Sequence, residues 1–162
     1  MAVLTDPMSD PISQRLSELG ITLPEPAAPV AAYVPAVRVG NLLHISGQLP
    51  FDAGAVMTGR LGEDRDLDYG RAAARACAIM LLAQINKALG SLDKVERIVK
   101  LGVFVNSGGA FTDQPKVADG ASTLMAEIFG EAGRHARAAV GVPALPLGAA
   151  VEIDAVVAVK AD

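Results

Sequence analysis

This chain of 162 residues has little of what most chemistry-bearing motifs require. It contains one cysteine, Cys77, so no internal disulfide can form, and that usage suits a reducing compartment. Cys77 lies in a helical pattern among alanine and isoleucine, which is the setting of a small buried hydrophobe. The two histidines, His44 and His135, are too few for most dedicated transition-metal sites, and no Cys/His cluster has ligand spacing. There is no P-loop, no dinucleotide-binding glycine fingerprint, no zinc-protease helix motif and no nucleophile elbow. The net charge is −4, with no basic stripe to track a phosphate backbone, so a nucleic-acid partner is not expected. Apolar runs are broken by charges or glycine well short of the roughly 18 residues that a membrane span needs. The first ten residues, MAVLTDPMSD, carry an acid and no basic segment, unlike a signal peptide. A cytoplasmic location is expected. Aromatics make up only 4% and tryptophan is missing.

What is present is small and aliphatic. Hydrophobic residues account for 51% of the chain and mean hydropathy is +0.37, mostly from Ala, Val, Leu and Ile. The length fits one domain with a real core. Asp10-Pro11 starts a short helix whose apolar face is Ile12, Leu16 and Leu19, ended by Gly20. Pro24, Pro26 and Pro29 mark an extended linker. Tyr33 to Val39 and Leu42 to Ser46 read as a hairpin about Gly40-Asn41. A glycine-rich loop from Phe51 to Asp64 follows. Asp66 or Asp68 then caps a long helix, Tyr69 to Leu89, closed by Gly90. A brief helical turn from Ser91 precedes a β-branched strand, Arg97 to Val105. A second amphipathic helix covers Pro115 to Phe129. Two apolar strands end the chain, one opened by Arg137 and one spanning Val151 to Val159, joined by a Pro-Gly turn. The order α-β-β-α-β-α-β-β predicts an α+β fold with one sheet and its helices on one face. The strands are apolar on both sides, so self-association through the bare face is expected.

Candidate chemistry sits in those last two strands. Charges in apolar strands are costly to bury unless they are paired or meet a ligand. Arg137 offers a planar fork of donors suited to a carboxylate. A salt bridge from Arg137 to Glu152 or Asp154 explains the same residues without a ligand, and the sequence leaves both readings open. Glu152 could orient a water or move protons. Asp154 shares its strand face, two residues on, and reads as a solvated or interface charge. His135 could reach the same site or merely end a strand. His44 reads as structural. Tyr33 could cover a pocket or simply pack.

The chain resembles the RidA/YjgF family. Gly40-Asn41-Leu42-Leu43-His44-Ile45-Ser46-Gly47-Gln48-Leu49-Pro50 is similar to that family's hairpin, and Val103-Phe104-Val105 to its central strand. His135-Ala136-Arg137, then Leu145-Pro146, then Val151-Glu152-Ile153-Asp154-Ala155 match its C-terminal signature without a gap. The resemblance covers roughly residues 30 to 160. It implies a chorismate-mutase-like single sheet with two long helices packed on one face, and a barrel-like homotrimer with clefts between subunits. On this reading residues 1–29 form an N-terminal helix and Pro-rich extension to a RidA-like domain at 30–162. The implied activity is hydrolysis of enamine/imine intermediates, such as 2-aminoacrylate, to 2-keto acids and ammonia. By position Arg137 is the arginine that holds the substrate carboxylate and Glu152 the glutamate that places the attacking water. Tyr33, Ser46 and the Ala139 backbone fall at substrate-contacting positions. No metal or organic cofactor is implied, and the partner is a small carboxylate. Two alternatives stand beside it: a non-enzymatic trimer that binds small carboxylates as a regulator or holdase, and a pathway enzyme with another substrate in the same cleft. Three departures are visible, the first being the extra N-terminal helix from Pro11. Ala139 stands where many members carry cysteine, and residues 106–122 do not follow the usual pattern or show the expected pocket asparagine.

Overall fold

The structure is a computed structural model and describes residues 10–26, 28–29 and 31–162. The expectations for the first nine residues, and for Ala27 and Val30 of the Pro-rich segment, lie outside the described residues.

The longest apolar helix organises the core. α2 spans Leu67–Leu89, with the Asp66 side chain accepting from the Tyr69 N–H at its start and Gly90 in a left-handed cap at its end. It is long and apolar enough to cross a bilayer by length and composition alone. Here protein covers it: Ala73, Ala74, Cys77, Ala78, Leu81, Leu82 and Ile85 are all buried. The alanines let α2 lie close to the sheet, while the larger residues interdigitate with it. Each fully buried leucine or isoleucine contributes roughly 1.5–3 kcal/mol. α3, Gln114–Phe129, packs alongside and buries Val117, Leu124, Met125 and Ile128. The two helices touch at their backbones. A methyl group on Gly120 of α3 would run into the Arg71 carbonyl of α2. α1, Pro11–Glu18, is capped by Asp10, adds Leu16 to the core and is tied to α3 by the Arg15 Nε–H donating to the Glu127 carbonyl at 2.8 Å.

Under the helices lies a five-stranded sheet in the order β1-β2-β7-β5-β6. β1 is Ala36–Val39, β2 Leu42–Gln48, β5 Val95–Asn106, β6 Ala136–Val142 and β7 Val151–Val159. All pairs are antiparallel except β5 with β6. That parallel pair requires a crossover, and α3 supplies it. The α+β class, with one main sheet and the helices on one face of it, stands.

Some elements differ from expectation. β1 begins at Ala36, because Pro35 has no N–H to give a ladder, so Tyr33 lies ahead of the strand. The loop from Phe51 contains a small hairpin, β3 Phe51–Asp52 with β4 Ala55–Val56. The helical turn after Ser91 shrinks to Leu92–Lys94, and β5 starts at Val95. The two final strands are not neighbours, because β5 lies between them. Apolar patterning marks strands but does not order them.

The face away from the helices is open. One row across it runs Val37, His44, Val156, Lys100 and Ala136; the next pairs Asp154 with Gly102, and another Glu152 with Phe104 and Val140. Val37 and Val140 are each about half exposed. Part of this face forms a shallow cleft of about 470 Å3.

Candidate functional site

Strand parity separates the predicted site residues. On β5, Leu101, Val103 and Val105 point at the helices. Arg137 is in register with Leu101, and Ala139 with Val103, so both lie on the helix side of β6. Glu152 is in register with Phe104, on the open side. Arg137 and Glu152 therefore occupy opposite faces, with β5 between their strands. Two strand spacings alone put them about 10 Å apart. No ion pair joins Arg137 to Glu152 or Asp154 among the described residues, and the salt-bridge alternative is replaced by a different partner.

That partner is α3. The Arg137 Nη1 donates to Asp119 Oδ1 at 2.9 Å and to Ser122 Oγ at 3.0 Å. Asp119 and Ser122 are three residues apart, one helical turn, and so face β6 together. His135 belongs to the same group: its Nε2 lies 3.0 Å from Ser122 Oγ and its Nδ1 2.7 Å from the Gly133 carbonyl. Burial lowers the His135 pKa; the Gly133 carbonyl opposes this and the Arg137 charge adds to it. The neutral imidazole is thus favoured over the charged one. Arg137 keeps about a quarter of its side chain exposed, on a cleft of about 330 Å3 that is also lined by Ser122, Thr123, Ala126, Arg134 and His135. Two guanidiniums, an imidazole and two hydroxyls line it, with Asp119 paired to Arg137 at 2.9 Å and Glu131 to Arg134 at 3.7 Å. β6 is an edge strand, so the backbone around Ala139 has one side without a strand neighbour.

The other predicted residues gather near β2. Ser46 Oγ donates to the Val34 carbonyl at 2.9 Å, and the Ser46 N–H donates to the Pro35 carbonyl, which ties the Tyr33 segment to β2. Tyr33 itself is exposed. The Glu152 carboxylate lies over Gly47, where any side chain would collide with it. This is the point where the β2–β7 register shifts, between Ile45 and Gln48. Burial pushes the Glu152 carboxyl above its ordinary value, and the Asp154 charge adds to that. Cys77 is buried, its thiol near the Val151 carbonyl, and burial raises its pKa first and the Glu152 charge second; it behaves as packing.

The Glu152 shift has a sign that can be tested. The folded chain holds a proton at this carboxyl more readily than the unfolded chain does. That stabilisation is fully present below the unperturbed value of 4.5 and is lost as pH rises through the elevated pKa. Glu152→Gln removes the titration. The urea midpoint of the variant is therefore expected to gain on wild type as pH rises from about 4.5 towards 8. A difference that stays flat with pH would mean that Glu152 is unperturbed.

Asp119 and Ser122 escaped the sequence reading, since polar residues on an exposed helix turn are ordinary. Their spacing of three, opposite a lone strand arginine, is the available signal. Gln114 and Ser107 escaped it too. The Gln114 amide donates to the Phe111 carbonyl at 2.8 Å and to Ser107 Oγ at 3.4 Å, and both side chains abut Gly141 on the Arg137 face of β6. The glutamine at the start of α3 thus places an amide on this face of β6, four residues along from Arg137.

Comparison with known proteins agrees with this architecture. The family model described as "YjgF/chorismate mutase-like, putative endoribonuclease" matches residues 13–157. Protein TCP17 of Trypanosoma cruzi is 55% identical over 148 residues, covering 90% of this chain and 92% of the relative. A 2-iminobutanoate/2-iminopropanoate deaminase of Dermatophagoides farinae is 28% identical over 142 residues, 86% of this chain and 95% of that one. Among solved structures, protein Atu1372 of Agrobacterium tumefaciens superposes with a TM-score of 0.87 at 49% identity, covering 93% of each chain.

Proposed function

Because the chain belongs to the RidA/YjgF family, we propose that it hydrolyses small enamine/imine carboxylates to 2-keto acids and ammonia, in a cytoplasmic homotrimer. The observation that carries this reading is the Arg137 guanidinium, held on a cleft of about 330 Å3 with Nε and Nη2 unpartnered among the described residues. A relative of known name acts on 2-iminobutanoate and 2-iminopropanoate, which are carboxylates of this class.

One chain supplies two half-sites. Arg137 and the Ala139 backbone sit at the β6 edge, while Tyr33, Ser46 and Glu152 lie toward the other edge and on or near the opposite face. A substrate a few ångströms long cannot touch both in one copy. A neighbouring copy that seats its β2–β7 region beside β6 completes the cleft, and self-association also covers the open face, where Val37, Phe104 and Val140 lie among His44, Lys100, Glu152 and Asp154.

The chemistry asks for little. Arg137 binds the carboxylate through parallel N–H donors, and the Ala139 backbone, Tyr33 and Ser46 fix the rest of the ligand. Glu152 of the adjoining copy holds a water and takes its proton as the oxygen bonds to the imine carbon. The C=N π pair moves to nitrogen, which is protonated, giving a carbinolamine. Breaking the C–N bond then expels ammonia and leaves the keto acid, with one water consumed. A carboxyl whose pKa is raised is suited to both taking and returning that proton.

The test supplies 2-aminoacrylate continuously from serine with a dehydratase, follows keto acid and ammonia, and measures the mass by light scattering. Faster release and three chain masses are expected. A monomer would remove the shared cleft. Arg137-dependent binding of carboxylates without any rate enhancement would make the protein a binding trimer instead.

A further inference from the structure

The Arg137 fork is occupied unevenly. Guanidinium carries five N–H donors, two on each Nη and one on Nε. Both hydrogens of Nη1 are engaged, one by Asp119 Oδ1 and one by Ser122 Oγ. Nε and Nη2 have no partner among the described residues. A carboxylate can be held bidentately only by two parallel N–H vectors. The pair across the two Nη atoms is lost once Nη1 is engaged, which leaves the pair formed by Nε and Nη2.

The engagement of Nη1 is itself directed. His135 Nδ1 is 2.7 Å from the Gly133 carbonyl, which can only accept, so Nδ1 carries the proton. Nε2 is then an acceptor, and the Ser122 hydroxyl must donate to it. The Ser122 lone pairs are thereby turned to the Arg137 N–H. Every polarity in the series Gly133, His135, Ser122, Arg137, Asp119 follows from the first bond. The burial of His135, which favours the neutral ring, agrees with it. Asp119 adds a fixed negative charge beside Nη1 that repels a second carboxylate from that side.

We propose that Ser122, His135 and Asp119 are positioning residues for Arg137, locking Nη1 so that a ligand carboxylate is taken on the Nε–Nη2 edge. The proposal rests on the reading of Arg137 as the carboxylate anchor. It assigns part of the α3 segment, whose sequence departs from the usual family pattern, to the ligand site. It also explains why a long, flexible side chain is ordered ahead of binding, which removes part of the entropic cost of association.

The experiment uses the full chain and 2-oxobutanoate as probe. Titration is followed in a proton–nitrogen correlation spectrum, with the Arg137 Nε–H resonance assigned by its loss in Arg137→Ala. In wild type that resonance shifts downfield and saturates with the ligand. Ser122→Ala and His135→Phe weaken binding about tenfold, the scale of one hydrogen bond to a charged group. Ser122→Thr keeps the hydroxyl and restores affinity close to wild type. Where Ser122→Ala lowers the melting temperature as well, the Ser122→Thr and His135→Phe pair decides. Ligand binding that depends on Arg137 but leaves the Nε–H resonance unmoved overturns the edge assignment. Wild-type affinity in Ser122→Ala and His135→Phe overturns the positioning role while leaving the anchor standing. No binding to wild type removes the anchor itself, and this proposal with it.

Discussion

Arg137→Ala is expected to lower kcat/KM for imine hydrolysis by two to three orders of magnitude while leaving the fold in place. Truncating one member of a hydrogen-bonded charge pair typically costs about 2–5 kcal/mol of binding, and each 1.4 kcal/mol is a factor of ten. The loss should fall mainly on KM, because the carboxylate is clamped alike before and during reaction. Stability should move little. Asp119 is about half exposed, so its carboxylate returns to water when the guanidinium leaves. Arg137→Lys should recover only part of the activity, because an ammonium is a point charge that cannot serve Asp119, Ser122 and a ligand in one plane. Glu152→Gln, by contrast, should reduce kcat with KM nearly unchanged. Steady-state kinetics with melting curves for all three variants check this. A melting temperature that collapses in Arg137→Ala would make the residue structural; unchanged kcat/KM would end the clamp.

Gly120→Val is expected to damage stability severely. The obstacle is the backbone carbonyl of Arg71, which no rotamer change can move aside. Overpacking usually costs about 1–3 kcal/mol, and a backbone obstacle lies at or beyond the top of that range. The branched side chain also loses rotamer freedom in a helix. α3 must then stand off from α2, carrying Asp119 and Ser122 away from Arg137. Chemical denaturation should show the unfolding free energy falling by that amount, with carboxylate affinity falling in whatever fraction still folds. Gly120→Ala should show a smaller loss of the same kind. A valine variant as stable as wild type would mean that the two helices are not in backbone contact.

Much of this was legible in residue order. Asp10-Pro11 placed α1, the Gly40 turn placed the first hairpin, and Gly90 closed α2; Gly40 and Gly90 both take positive φ. These are local signals, read over a few residues. The solitary arginine and the Val-Glu-Ile-Asp alternation marked the strands that carry the candidate chemistry. Their mutual placement was not legible. Period-two patterning tells which residues of one strand share a face, yet it is silent on which strand lies beside which, and so could not show Arg137 and Glu152 on opposite faces. The polar group around Arg137 was hidden for a related reason. Asp119 and Ser122 lie fifteen or more residues away in sequence, and only the crossover through α3 returns them to β6.

The sheet order also dictates a timetable. β7 occupies the middle of the sheet and is the last of its five strands to leave the ribosome. Until it arrives, β1-β2 and β5-β6 are two unjoined fragments, each with a bare inner edge and apolar side chains meant for α2. Such edges invite pairing with other chains. A nascent polypeptide of this design stays exposed to aggregation until its last sheet strand is made, and one insertion ends it.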